Sequence, residues 1–420
     1  MAPSGSGKRR VVVIGAGFAG LAACGELSKK ADLEVLLVDR HTYNTFQPLL
    51  YQVATAGLNP GDIAYPTRSF IREHPLTTFR QGTVSGIDLE EQSVEFVGEP
   101  PVSYDYLVVA SGATTNFFGV PGASEHCLGL YTMEDAISVR DKSSHLLERA
   151  ATFGTEESIL TVVIVGGGPT GVELAGTLAE LRGDELRFSY PGIDSSAARV
   201  VLIEQKERLL PSFEERLSSY AKRALEKRGV SVLLTTAVAR VEEDKVVLDG
   251  GEVFACGMSV WSAGVRAGEL ATFLGVETTA GGRVVVLDDL RLAGHPRVFV
   301  VGDVAGTRAR PGSREILPQL AQPAIQEGRH AARQILLLDS GLSTQPFSYK
   351  DKGIMATIGR RAAVAQLQGG VRLTGTAAWL AWLGLHVVSL VGFRNRFAVL
   401  LNWAWRYVFW RGGPRMVGGP

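Results

Sequence analysis

Cysteine is scarce in this chain: three in 420 residues, at positions 24, 127 and 256. Their separations match neither a CxxC redox pair nor a zinc site, so a disulfide framework and a cysteine-bound metal are both unindicated. A reducing compartment is the expected home. Excess charge is missing too. Lys+Arg and Asp+Glu each number 43, for a formal net charge of zero. No global field attracts nucleic acid, and no run of like charges marks an interaction tail. Long apolar runs are also lacking. The best, residues 376–393, is interrupted by Gly384 and His386 and is borderline for the about 20 apolar residues that span a bilayer.

What is abundant is glycine, 49 residues, in a chain that is 45% hydrophobic and 20% charged. The glycines sit in clusters beside apolar strands rather than in repeats, which excludes collagen and disorder. The length calls for two or three domains. Near the N-terminus, Lys8, Arg9 and Arg10 precede an apolar run reaching Leu21-Ala22-Ala23-Cys24, the outline of a lipoprotein signal peptide. Cleavage there would remove the glycine turn on which the rest depends. The segment therefore reads as a buried strand entering a turn, with Cys24 on a helix packed on the sheet.

One pattern occurs twice, about 150 residues apart. Strand Arg10–Ile14 enters Gly15-Ala16-Gly17-Phe18-Ala19-Gly20, a helix runs to about Lys30, and a second strand from Glu34 to Val38 closes in Asp39. Strand Thr161–Val165 enters Gly166-Gly167-Gly168-Pro169-Thr170-Gly171, a helix runs to about Leu181, and strand Arg199–Ile203 closes in Glu204. Such glycines allow a tight turn and a close approach to a pyrophosphate, which the helix start binds through free N–H groups and its dipole. The acid accepts from a ribose hydroxyl. Glu204 comes late because residues 182–198 are inserted ahead of its strand, and it disfavours the 2′-phosphate of NADPH, although Lys206 and Arg208 are close. Strands Tyr104–Ala110 and Met258–Trp261 lead into Ser111-Gly112-Ala113 and Ser262-Ala263-Gly264. A further strand, Arg297–Val301, ends in Gly302-Asp303, and a helix is expected from about Gln319 to Leu338, before a linker at 340–346.

Two nucleotide sites suggest one resident flavin, FAD, in the first domain and one exchanging nicotinamide, NADH, in the second. Asp303 then suits the ribityl chain of the flavin; the plainer reading is a helix cap. The expected fold is α/β, with two Rossmann-type dinucleotide-binding domains and a C-terminal membrane-associating helical region. The FAD-binding domain is placed at 8–120 and 290–345, the NADH-binding domain at 121–289, and the membrane-anchoring region with two amphipathic helices at 346–420.

Residues 10–340 resemble the flavoprotein superfamily with two dinucleotide-binding domains, and nearly the whole chain is similar to the type II NADH dehydrogenases, the non-pumping NADH:quinone oxidoreductases. Four segments carry that likeness: Asn44–Thr55 (NTFQPLLYQVAT), Gly168–Glu173 (GPTGVE), Ala321–Gly328 (AQPAIQEG) and Tyr349–Gly359 (YKDKGIMATIG). The resemblance implies hydride transfer from NADH to FAD and two-electron reduction of a membrane quinone to quinol, feeding a respiratory chain without proton pumping. It places Phe18, Arg40, Gln47, Pro48, Ala110, Gly112, Gln319, Leu320 and Ala321 at the cofactors, together with Ala263, Gly264 and the glycines and acids above. It implies that Phe46–Thr55 lines the flavin, that Gln322 and Gln326, four apart on one helical face, donate to quinone carbonyls, and that Glu173 faces the nicotinamide and flavin and orients NADH or carries a proton; the plainer readings are two ordinary glutamines on a helix surface and a helix-start acid that complements the dipole. Lys352 is either a donor to quinone or reduced flavin, or an ordinary surface lysine beside Lys350 and Asp351.

The C-terminal stretch fits a quinone substrate. Five of the six tryptophans, 379, 382, 403, 405 and 410, fall there with Arg394, Arg396, Arg406 and Arg411. Tryptophan favours the headgroup level and arginine pairs with anionic lipid. Two helices lying on the membrane are expected, peripheral on the cytoplasmic face of the plasma membrane or an equivalent inner membrane; the rival readings are a true span and a buried helical hairpin at a dimer interface, and a homodimer can coexist with membrane docking. Related readings are a sulfide:quinone reductase, a ferredoxin reductase, or a flavin and NAD sensor without turnover. NADH-driven turnover of a quinone separates all three.

Overall fold

The computed structural model describes residues 8–29, 32–154, 158–182, 186–279 and 281–409. Trp410, Arg411 and residues 183–185 of the 182–198 insertion lie outside them, as does the Arg406 side chain. The chain forms two compact units. The first comprises Met1–Asn44, Tyr65–Thr114 and Val265–Asp351, the second Thr45–Ala64, Thr115–Gly264 and Lys352–Pro420. These units cut the chain at other places than the nucleotide-binding domains expected from the motifs, because packing groups 265–289 with the first glycine turn, and 45–64 and the C-terminal region with the second.

The first unit is built on a sheet in the order Arg291–Leu292, His295–Val300, Tyr106–Val109, Arg9–Ile14, Leu33–Asp39, Thr77–Gln81. All its strands pair in parallel except the first two, which pair antiparallel. Val11, Val12 and Val13 in the centre are fully buried, as expected of a parallel strand covered on both faces. Ile14 pairs with Val38, so Gly15 and Asp39 leave the sheet side by side. Helix Phe18–Leu27 packs on helix Ala321–Asp339 almost backbone to backbone: a Cβ on Gly328 would lie 2.0 Å from the Ala19 carbonyl oxygen. The first helix ends at Leu27 rather than Lys30, and the other begins at Ala321 because Leu320 is still extended, φ −135° and ψ 156°.

The second unit repeats the plan, with a parallel sheet in the order Leu128–Gly129, Met258–Trp261, Thr161–Val165, Arg199–Ile203, Val230–Leu233. An antiparallel sheet follows, Gly353–Gly359, Ala362–Leu367 and Arg372–Thr374. Helix Pro169–Glu180 lies directly on it, since a Cβ on Gly176 would be 2.0 Å from the Ile358 carbonyl oxygen. Two helices end the described chain, Gly375–Ser389 and Phe393–Phe409.

The last helix is inside out. Asn395, Val399, Asn402 and Trp403 form an i, i+4, i+7, i+8 stripe turned inward, while Phe393 (84% exposed), Phe397, Leu400, Leu401 and Trp405 form an apolar stripe turned outward. The inward polar groups have partners: Asn395 donates to the Ala64 carbonyl (2.8 Å), Asn402 to Asp62 (2.8 Å), and the Trp403 indole to Gln52 (2.7 Å). Of the tryptophans expected at the headgroup level, Trp379, Trp382 and Trp403 are buried and Trp405 is exposed. Trp382 and Trp403 join an aromatic core instead, and Trp379 belongs to an apolar cluster with Ala363, Ala365 and Ala378. Among the described residues no helix is long and apolar enough to cross a membrane.

The close helix contact makes a testable demand. Gly328→Ala should destabilise by about 1–3 kcal/mol, because the obstructing atom is backbone and cannot rotate away. Gly384→Ala, mid-helix with nothing within 4 Å of the new Cβ, should instead stabilise by up to about 1 kcal/mol. Thermal melts of the two variants check the opposite signs.

Candidate active site

Each glycine turn is held by the same set of bonds. In the first unit Gly15 adopts φ +105°, and its N–H donates to the Val38 carbonyl at 2.7 Å. A Cβ on Gly20 would fall 1.8 Å from the Gly15 carbonyl oxygen, so only glycine lets the helix start this close to the strand. In the second, Gly166 has φ +112° and donates to the Ile203 carbonyl at 2.8 Å, and a Cβ on Gly171 would lie 1.9 Å from the Gly166 carbonyl oxygen. Gly17 and Gly168 are different. They cap their helices with extended backbone and no side-chain bond to the first-turn amides, and a Cβ on either meets nothing within 4 Å. Open space therefore faces both helix starts, neither of which has a side-chain cap, and that fits a dinucleotide pyrophosphate at each.

The acids do more than sequence reasoning asked of them. Asp39 accepts from Ala16 N–H (2.6 Å) and His41 N–H (2.7 Å). Glu204 accepts from Gly167 N–H (2.6 Å) and Lys206 N–H (2.7 Å). A carboxylate has about four lone-pair sites, so each still has capacity for a ribose hydroxyl while bracing its turn. Near the same sheet edges, Ala110 N–H donates to Ile14 (2.8 Å), Gly112 has φ +72°, Ala263 packs under Gly166, and the Gly264 carbonyl accepts from Asn116 (3.0 Å). Phe18 opens the first helix, Arg40 is exposed with its Nε on His41 at 3.0 Å, and Gln47 begins a short 3-10 turn, followed by Pro48, and donates to the Tyr131 carbonyl at 3.3 Å.

In the first unit Gly302 has φ +75° and Asp303 stands half-buried beside it. Gln319 donates to the Asp303 carbonyl at 2.9 Å, just before Leu320 and Ala321 lead into the helix. Glu327, a residue the sequence reading did not single out, is buried and accepts from Gly302 N–H at 2.6 Å. Burial raises its pKa to about 7 against that bond. Its only local signal was its place in the AQPAIQEG segment. Gln322 and Gln326 differ in what they are free to do. The Gln326 amide is committed to Lys350, donating to its carbonyl (3.0 Å) and accepting from its N–H (3.1 Å). Gln322 is half-buried and its amide has no hydrogen-bond partner among the described residues.

In the second unit Glu173 is buried on helix Pro169–Glu180. Its carboxylate accepts from Thr357 N–H at 3.2 Å on the C-terminal sheet. Burial is the dominant influence and pushes its pKa up to about 8, with the Thr357 bond and the adjacent Trp382 indole opposing. The Trp382 N–H is itself buried without a regular partner. Trp382 touches Tyr51, His386 and Trp403. Behind it Gln52 is buried, donating to the Tyr51 hydroxyl at 2.8 Å and accepting from Trp403. Lys352 is exposed. The three cysteines are buried and free, and burial pushes all three thiols up, Cys127 to about 11 and Cys256 to about 12. None is a thiolate poised for redox exchange.

The pyridine nucleotide-disulphide oxidoreductase model matches residues 9–328, and the NDH2 C-terminal domain model matches 352–412. Two type II NADH:quinone oxidoreductases of Mycobacterium tuberculosis, NdhA and Ndh, are 41% and 39% identical over 417 and 425 residues, covering 94% and 97% of this chain and 87% and 89% of theirs. The chain belongs to the type II NADH:quinone oxidoreductases. At the level of fold, NDH2 of Plasmodium falciparum solved with NADH superposes with a TM-score of 0.89 at 20% identity, over 97% of this chain and 100% of that one. The sulfide:quinone oxidoreductase of Aquifex aeolicus gives 0.73 at 20% identity, over 93% and 92%.

The raised pKa of Glu173 has a signed consequence. Unfolded, the carboxyl ionises near 4.5; folded, it holds its proton to about 8. The associated stability is present below about pH 4.5 and is lost as pH rises toward 8, where the loss levels off. Glu173→Gln has no such loss. Its stability relative to the wild type should climb through that window, by at most about 1.4 kcal/mol per pH unit, and then stay constant. Urea melts of both proteins from pH 5 to 9 measure the gap, and a gap independent of pH would mean that the carboxyl ionises normally.

Proposed function

We infer that this chain oxidises NADH and reduces a membrane quinone from a peripheral position on the bilayer. It is a flavin-dependent NADH dehydrogenase, with FAD as its cofactor and NADH as its substrate. When bound, FAD accepts hydride from NADH and passes two electrons to quinone. The observation that carries the reading is the duplicated turn, each copy with its own brace and its own open cradle.

The residues divide the work as follows. Gly15, Gly17 and Gly20 with Asp39 would hold FAD in the first unit, and Asp303 would orient its ribityl chain. Gly166, Gly168 and Gly171 with Glu204 hold NADH in the second. The NADH-driven reduction of quinone to quinol consumes one proton from water. Glu173 carries a proton near neutral pH, and it is the group assigned to deliver it. Gln322, with its amide uncommitted, donates to a quinone carbonyl, while Gln326 positions the Lys350 backbone. Lys352, exposed, contributes positive charge at the quinone or reduced flavin.

The outward apolar stripe of the Phe393 helix, with Leu380, Leu385 and Val388 exposed on the preceding one, supports docking onto lipid, on the cytoplasmic face where NADH is made. Arg394 and Arg396 flank it and favour anionic headgroups. A homodimer is compatible with this attachment.

Stopped-flow reduction by NADH followed by reoxidation with quinone tests the division. Gln322→Ala should slow the second phase by about tenfold, well beyond any change in the first, and equal effects would remove Gln322 from the quinone site. For docking, Phe393→Glu/Phe397→Glu should abolish co-sedimentation with phosphatidylglycerol vesicles. Sedimentation as strong as that of the wild type would show that the stripe faces something other than lipid.

A further inference from the structure

His386 has no part in the assignments above, yet it is among the most constrained polar side chains of the second unit. It lies four residues after Trp382 on the Gly375–Ser389 helix. Its ring is stacked on that indole, with centroids 3.9 Å apart and planes 24° apart, and Phe46 meets it edge-on at 6.1 Å. Nδ1 is 2.7 Å from the Trp382 carbonyl oxygen. A carbonyl only accepts, so the proton must sit on Nδ1, and the neutral imidazole then presents a lone pair at Nε2. Burial lowers the imidazole pKa to about 4, with the carbonyl bond opposing, so the ring stays neutral near pH 7. Nε2 has no hydrogen-bond partner among the described residues, and it is not one of the fully enclosed polar atoms left without one. It is an acceptor that a ligand can reach.

The surroundings narrow the ligand. Trp382 and Phe46 enclose the imidazole with apolar rings, Tyr51 and Trp403 back the indole, and all four are buried. The carboxyl group beside Trp382, on Glu173, is protonated near neutral pH. The acceptor thus sits among apolar groups, which suits a largely apolar ligand with a single donor. A quinone carbonyl offers nothing to Nε2, since both atoms only accept, but reduction turns that carbonyl into a hydroxyl that can donate. We propose that Nε2 of His386 accepts a hydrogen bond from a hydroxyl of the quinol product, so that this site holds quinol more tightly than quinone. The proposal rests on the quinone reading above and deepens it. By linkage, whatever factor favours quinol in binding also favours reduction of the bound quinone, and quinol becomes a product inhibitor.

The test uses the full-length, FAD-loaded protein with ubiquinone-1 and ubiquinol-1 as probes. Inhibition of steady-state NADH oxidation by ubiquinol-1 gives its Ki, and anaerobic calorimetry gives its Kd. His386→Phe keeps a stacked ring and loses the acceptor; His386→Gln restores an acceptor oxygen. Loss of one neutral hydrogen bond should raise both quinol constants about fivefold to tenfold in His386→Phe, with a change of less than about twofold in KM for the quinone, and His386→Gln should recover most of the loss. A merely structural role would move KM and Ki together, and that result overturns the proposal, as does an unchanged Ki in a variant that retains its FAD. Should His386→Phe fail to retain FAD, calorimetry on the wild type decides, because tighter binding of quinone than of quinol contradicts the assignment. A wild type that turns over no quinone at all would instead bring down the functional reading on which the proposal stands.

Discussion

Everything in the nucleotide-binding part hangs on a carboxylate that ties a glycine turn to the neighbouring strand. Asp39 to Ala16 and Glu204 to Gly167, each at 2.6 Å, are charge-assisted bonds of the stronger kind. The backbone must reverse within a few residues at Gly15 and Gly166 while leaving the helix start uncapped, and an uncapped helix start is a local liability. The carboxylate offsets it by holding the turn from the side, so the helix start does without a side-chain cap. One acid thus shapes the anion cradle and stands where a ribose hydroxyl would be recognised. Two such turns in one chain are what make a flavin and a nicotinamide possible together.

The second unit adds a constraint of the opposite kind. Glu173 is buried with one backbone donor and one indole beside it, and no cation is among the groups acting on it. A carboxyl in that position keeps its proton, because ionising it there costs more than taking up the proton. The close approach of Gly176 to Ile358 is what brings Thr357 to this carboxyl. The C-terminal region therefore helps to set the surroundings of a buried carboxyl on the second glycine helix.

Much of this was legible in the sequence where the signal is local. Strands Arg199–Ile203 and Met258–Trp261 end where the apolar runs end, and both glycine turns follow from spacing alone. The rest depends on partners far apart in the chain. Nothing near Gln326 announces that its amide will pair with Lys350, and nothing near Glu327 announces Gly302. Trp382 and Trp403 look like interfacial tryptophans because a window of sequence sees only that they are aromatic and sit among apolar neighbours. Whether such a ring meets lipid or Gln52 is settled by residues more than 300 positions away.

The Phe393 helix shows why that ambiguity arose and what it means. Its inward stripe carries two asparagines and an indole N–H, and its outward stripe is apolar. In water this order is backwards, since a soluble helix gains most by hiding its apolar face. It is the order that the proposed docking onto lipid requires. The inward polar groups then register the helix on the 52–64 segment through directional bonds, where apolar packing alone would let it slide or rotate. Polarity within and apolarity without are two halves of one arrangement: the outward face is free for the proposed docking onto lipid, and the inward face keeps the helix locked to residues of the segment that carries Tyr51 and Gln52.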